Sequence, residues 1–349
     1  MEHICHCEFD ASMLITKYPA KLKNPNKKIV FEISCPPGAT HSGTITFSRW
    51  HQMPLPETLT RNDLCPRFDL REDYFTYETP PEERVDWHLN FAHYDLFCAY
   101  GGPLFAQDEM QVAEHPALAS LRHALIDSGI KPLTVEDGIP TPALIMGVER
   151  RCIVETNVDP VLGRLYGLYG NHFNRASEEV IRQATKVIEP PTISNILAME
   201  ALAYSTNQLP CLEILPFDME ASVYGTAPSI RYTQQEIEFI LSTAITGFSA
   251  AVRESKKNDS AIQVAIHTGF WGCGAYGGNR ILMPLLQMIA ACCSDLDILV
   301  FHSPIDSMEY YSAIDLLEKV LPIDQPVKVN NLISQVESIG FEWGISDGN

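Results

Sequence analysis

Apolar and polar positions along this chain fall into two textures, and the change comes near residue 86. Beyond it, strand-like apolar runs alternate with segments of helical period. The runs are ALIMGV at 143–148, SNILAMEA at 194–201, IQVAIH at 262–267 and DILVFH at 297–302. Such alternation predicts an α/β fold. The helical segments carry start and stop signals. Ser177 precedes EEVIRQATKVIE, placing Glu178 and Glu179 in a positive first turn, and Pro190 with Pro191 is expected to stop the helix. Thr233 and Glu236 have capping-box spacing before IEFILSTAITGFSAAV, whose apolar positions recur at helical period. Pro284 is tolerated only in a first turn or at a kink, so the helix carrying LLQMIAACC is expected to start near it.

Residues 1–85 read as short extended pieces, KKIVFEI at 27–33 and GTITFSRW at 43–50, separated by the proline-rich connectors CPPGAT and MPLPETL. They predict an accessory N-terminal segment, 1–85, packed on a main domain, 86–349. The first residues, including HICHC, are expected to be a mobile terminus. His3, Cys5, His6 and Cys7 could begin a zinc site, but no second Cys/His pair at finger-like spacing follows, so no metal is expected.

Composition narrows the function classes. With 349 residues, 46% of them hydrophobic, the chain can bury a large core. Its start lacks the basic region and apolar segment of a secretory signal, and no apolar run approaches the ~20 residues that span a bilayer, so no membrane partner is expected. Ten cysteines without such a signal point to a reducing, cytoplasmic compartment, which for a secreted effector would be a host cytosol. The net charge of −19 repels nucleic acid at long range and draws in basic protein surfaces.

Two stretches carry candidate chemistry. HTGFWGCGAYGGNRILMPLLQMIAA, residues 267–291, reads as strand end, glycine-rich loop, then helix. Glycines let backbone N–H groups approach an anion closely, which makes an outline of a diphosphate cradle. The loop lacks the Lys-Ser/Thr end of a nucleotide-hydrolysing loop and the spacing of a dinucleotide fingerprint, and a plain glycine turn is the competing reading. Cys273 could be a nucleophile near a helix start, but nothing in the sequence turns His267 toward it. The second stretch, LFAQDEMQVAEHPALASLRHAL, places Gln107, Asp108 and Glu109 at a helix start. Adjacent carboxylates raise one another's pKa and suit general acid work, although acids in a first turn also simply complement the helix dipole.

These residues carry a resemblance. TGFWGCGAYGGNRILMPLLQMIAA resembles the TGxWGCGAFGGD pattern of the poly(ADP-ribose) glycohydrolase family, and AQDEMQVAEHPAL is similar to that family's QEE segment. PALIMGVERR, PPTISNILAMEALAYSTNQ and QQEIEFILSTAITGF resemble further elements in the same order, so the likeness runs from about 85 to 305. The resemblance implies a macrodomain, a mixed β-sheet between helices, binding ADP-ribose at its strand ends. Gly272, Cys273, Gly274, Ala275, Tyr276, Gly277 and Gly278 would wrap the diphosphate, with Tyr276 against a ribose and Cys273 structural. Glu109 would be the general acid, Asp108 would position a ribose hydroxyl, and Gln107, Asn90 and His93 would contact the substrate.

The departures concern substrate fit. The family's GGG reads Phe97, Cys98 and Ala99, with Gly101 and Gly102 displaced; NFAH puts His93 in place of an asparagine; the tyrosine clasp is absent, with Val154 and Asn157 nearby. An aspartate reads Asn279, and the aromatic expected under the adenine aligns with Ser303, leaving Phe301 as a substitute. The resemblance implies a cofactor-independent ADP-ribosyl glycohydrolase acting on poly(ADP-ribose) or on a mono-ADP-ribosylated protein. Asp108 and Glu109 suit a cationic arginine linkage, so ubiquitin or another basic surface is a candidate partner. The alternative is a macrodomain reader that binds ADP-ribose without cleaving it.

Overall fold

The computed structural model describes residues 3–61, 65–204, 231–304 and 307–346. The first half of the chain forms β1 (His3–Asp10), α1 (Ala11–Lys17), α2 (Pro25–Ser34), β2 (Thr44–Trp50), β3 (Thr58–Thr60), β4 (Arg67–Arg71), β5 (Arg84–Ala92), α3 (Gln107–Glu114), α4 (Ala117–Asp127), β6 (Val135–Glu136), β7 (Ile139–Pro140) and β8 (Ala143–Val154). There follow α5 (His172–Arg175), α6 (Glu178–Ala184), β9 (Thr185–Glu200), α7 (Gln234–Ser255), β10 (Gln263–Thr268), α8 (Leu282–Cys292), β11 (Ile298–His302), α9 (Met308–Val320), β12 (Pro326–Lys328) and α10 (Val329–Ile339).

An eight-stranded mixed sheet, in the order β1-β2-β8-β9-β5-β10-β11-β4, forms the centre. The α/β architecture read from the sequence is therefore the observed one. From β9 to β4 the strands run parallel, whereas β1, β2, β8 and β9 pair antiparallel. Alternate residues of one strand serve opposite cores, as the period of two requires. In β9, Leu197 and Met199 pack with Trp87, Phe248 and Leu286, while Ile196 and Ala198 pack with Phe105, Val112 and Leu118. Among the described residues no helix is long and apolar enough to cross a membrane.

Several local expectations turn out differently. KKIVFEI is helical: Asn24 Oδ1 accepts from the Lys27 amide at 3.1 Å and Pro25 stands in the first turn, so start signals override the β-branched run. The expected mobile terminus is β1, which pairs with β2 in a register from Asp10↔Thr44 to His3↔Trp50. β1, β2 and β4, all from residues 1–85, belong to the same sheet as the later strands. The Ser177-capped helix ends at Ala184, before the prolines, and β9 takes over. Pro190 and Pro191 lie where the β8–β9 register shifts, an irregularity that spares the ladder their missing N–H groups. The Thr233–Glu236 capping box and the first-turn position of Pro284 are as expected.

Candidate active site

The parallel strands β4, β5, β9, β10 and β11 point their carboxyl ends to one rim of the sheet, the usual place for a ligand in such a fold. A cleft of about 550 Å³ opens there. One wall is the glycine loop after β10, from Thr268 to Tyr276; the other carries His93, Cys98, Ala99 and the start of α3, from Ala106 to Glu109. The two stretches singled out in the sequence, more than 150 positions apart, thus face a common space.

In the loop, tight turns use the N–H groups of Trp271, Cys273, Gly277 and Gly278, which donate to Gly269, Phe270, Gly274 and Gly272. Those of Gly272, Gly274, Ala275 and Tyr276 make no hydrogen bond among the described residues, and all four residues line the cleft. This is the donor array that an anion cradle needs. Gly272 is required by geometry: its φ is +77°, and a Cβ there would lie 2.5 Å from the Cβ of Ala201. Gly277 and Gly278 do not line the cleft; they close the turn against Gly344 and Gly272. Tyr276 does line it, and its hydroxyl donates to Glu200 Oε1 at 3.0 Å.

Cys273 Sγ contacts the Trp271 carbonyl oxygen at 3.7 Å, and burial pushes the thiol up to about 12, far from a thiolate. His267 faces elsewhere, toward Asp86 at 3.2 Å and His302 at 2.9 Å.

The opposite wall is built on β5. Gln107 straps the start of α3 to that strand, accepting from the Phe91 amide and donating to the Leu89 carbonyl, each at 2.8 Å. Asn90, fully buried below the cleft rather than in its lining, donates to Asp108 Oδ1 at 3.1 Å and to Gln111 Oε1 at 2.9 Å. Asp108 and Glu109 are both buried. Burial and then the Glu109 charge raise the Asp108 pKa, and burial raises that of Glu109, with Lys27 opposing. A proton is therefore retained by this pair above the ordinary carboxylate range.

Several departures from the family pattern acquire a physical meaning. Phe97, standing where a glycine is expected, takes φ of 59° with its side chain fully buried, so a left-handed turn is held by packing instead of by glycine. Gly101 faces the Lys21 carbonyl, where a Cβ would come within 2.5 Å, and its own carbonyl accepts from Lys23 and Asn24; it anchors α2 and does not line the cleft. His93 lines the cleft, its Nδ1 accepting from the Asp95 amide at 3.1 Å. Asn279 Oδ1 accepts from the Ile281 and Leu282 amides, capping α8.

Phe301 is buried in the core, edge-on to Phe270 at 5.1 Å, so it does not offer a face to a ligand. Phe270 is one of several aromatics that line the cleft, and the Arg280 guanidinium lies 3.6 Å over its ring. Both stand in the glycine stretch, where an aromatic beside an arginine was a signal available in the sequence. Asp73 and His302 also line the cleft, in contact at 2.5 Å, and Tyr169 borders it; nothing local in the sequence marked these three. Among the described residues no group of three or more His, Cys, Asp or Glu side chains is placed to hold a metal ion.

Residues 166–308 match the family model described as poly (ADP-ribose) glycohydrolase, macro domain fold. No curated protein matches the chain significantly. Among solved structures, poly(ADP-ribose) glycohydrolase from Thermomonospora curvata aligns at 12% identity over 87% of each chain, with a TM-score of 0.41. The same enzyme bound to the inhibitor ADP-HPD aligns at 13% identity over 72% of this chain and 79% of that one, with a TM-score of 0.40. The Deinococcus radiodurans glycohydrolase in complex with ADP-ribose aligns at 10% identity over 90% of this chain and 93% of that one, with a TM-score of 0.37. The resemblance read in the sequence thus stands for this part of the chain: residues 166–308 are similar to the macro domain of the poly(ADP-ribose) glycohydrolases. The family match includes the glycine loop but begins after the acid pair. The last four residues of PPTISNILAMEALAYSTNQ lie outside the described residues.

Proposed function

We propose that this protein hydrolyses the glycosidic bond at the anomeric carbon of ADP-ribose attached to a protein or to another ADP-ribose. The observation that carries this reading is the meeting, across one cleft, of the N–H groups at Gly272, Gly274, Ala275 and Tyr276, which have no partner among the described residues, with the buried acids Asp108 and Glu109. The loop would hold the diphosphate and so fix the ribose. Glu109 would donate its proton to the leaving atom as the bond to the anomeric carbon breaks and oxocarbenium character develops. Its carboxylate would then take a proton from the attacking water, which returns the acid to its starting form. Asp108, held by Asn90, would orient a ribose hydroxyl or a charged leaving group.

An arginine linkage is the finer reading we favour, because the two acids complement a guanidinium and the net charge of −19 attracts a basic carrier such as ubiquitin. On this reading the protein works in a reducing compartment, including a host cytosol if it is a secreted effector. The reader alternative has one observation in its favour: Glu109 Oε2 accepts from the Ala106 amide at 3.0 Å, a capping role that needs no catalysis. A panel of poly(ADP-ribose), arginine-linked and acid-linked ADP-ribosylated proteins separates the two. Release of free ADP-ribose from any member supports the hydrolase, and binding without release from all of them leaves the reader.

A further inference from the structure

Lys27 is one of the largest side chains that the fold buries completely. Hiding an ammonium costs several kcal/mol unless it is compensated. Nζ donates to the Tyr100 carbonyl at 2.9 Å and lies over the rings of Phe105, 5.0 Å away, and Phe173, 5.9 Å away, which stack on each other at 3.9 Å. One hydrogen bond and two ring faces compensate it in part. The remaining compensation comes through the loop it supports. Phe105 adjoins Ala106, the residue whose amide holds Glu109, so the ammonium sits directly behind the start of α3.

We propose that Lys27 is a positioning residue for the acid pair, its buried ammonium behind Phe105 and Ala106 setting how many protons Asp108 and Glu109 hold between them. This rests on the proposed hydrolytic reading of the cleft. Two carboxyls sharing one proton carry a single negative charge, and Lys27 makes the cluster neutral. Without it, the pair would draw in a second proton and lose the carboxylate that orients the substrate. Burial lowers the Lys27 pKa to about 8 while Glu109 and then Asp108 hold it up, so the ammonium persists at neutral pH. Among the other titratable groups nearby, Arg122 also lowers the Asp108 pKa, and the two acids raise that of the Cys98 thiol. Tyr100 bonds His123 of α4 at 2.8 Å and Arg122 of α4 pairs with Asp95, while Lys28 and Glu32 of α2 and Arg182 of α6 are exposed.

The test uses the full chain with Lys27→Met, and Lys27→Gln, which keeps a donor for the Tyr100 carbonyl without the charge. The side-chain carboxyl carbons of Asp108 and Glu109 are titrated by NMR, and the pH profile of ADP-ribose release is recorded beside it. Both variants are expected to fold and to shift the carboxyl titration upward by about one pH unit, the scale of a neighbouring opposite charge. The alkaline limb of hydrolysis should move the same way, with KM changed less than kcat. An unmoved titration, full restoration by Lys27→Gln, or failure of both variants to fold would each overturn the assignment. Should the wild type release no ADP-ribose from any substrate, the hydrolytic reading fails, while the carboxyl titration still decides whether Lys27 governs the pair.

Discussion

The Ala106 amide donates to Glu109 Oε2 at 3.0 Å, a one-sided cap at the start of α3, because the alanine side chain has no acceptor to offer in return. The helix start therefore orients the acid that the proposed mechanism uses.

Replacing the acid separates turnover from binding. Glu109→Gln keeps the shape and the acceptor for the Ala106 amide but cannot cycle a proton. Hydrolysis is expected to fall by about 10² to 10⁴, with ADP-ribose affinity little changed. Kinetics on each cleaved substrate and calorimetry with ADP-ribose check this, and undiminished turnover on every substrate sinks the assignment.

Asp108→Asn should weaken both affinity and rate, most severely for an arginine-linked substrate. It also has a stability signature. An acid whose folded pKa is raised holds its proton more tightly when folded, so it favours folding at low pH. That contribution is lost as pH rises from the ordinary carboxylate range through the raised value. Asp108→Asn removes the loss, so it should raise Tm at pH 8 relative to wild type by more than at pH 4. Equal shifts at the two pH values would contradict the burial-driven rise.

Phe270 of the glycine loop and Phe301 of β11 should behave oppositely. Phe270 lines the cleft and Phe301 backs it. Phe270→Ala is expected to cost about 1–3 kcal/mol of ADP-ribose binding, the range for a base stacked on an aromatic ring. Phe301→Leu should instead lower Tm and leave the affinity of the folded protein nearly intact. Titration calorimetry beside thermal melts distinguishes them.

In the loop, Gly272→Ala meets both the positive φ and the Ala201 Cβ at 2.5 Å, so strain of about 1–3 kcal/mol is expected, with weakened ADP-ribose binding. Cys273→Ser should be mild in turnover and binding. Complete loss of turnover in a folded Cys273→Ser protein would restore the thiol to the mechanism.

What the sequence by itself determined was local. The capping box at Thr233, the first-turn position of Pro284 and the apolar runs of β8, β9, β10 and β11 follow from short-range rules, and so do the outlines of the glycine loop and the acid pair. Tertiary structure decided what those rules leave open. Lys27 read as part of an extended piece because its β-branched neighbours mask the Asn24-Pro25 helix start, and its burial exists only because Phe105 and Phe173 meet around it. The rings of Phe301 and Phe270 lie 5.1 Å apart in space yet 31 positions apart in sequence, and which of them faces the cleft depends on how β10 and β11 pair. Asp73 and His302 meet at the cleft because β4 lies parallel beside β11. Side-chain direction within a loop and contact between distant strands come from packing, and packing is a property of the whole chain.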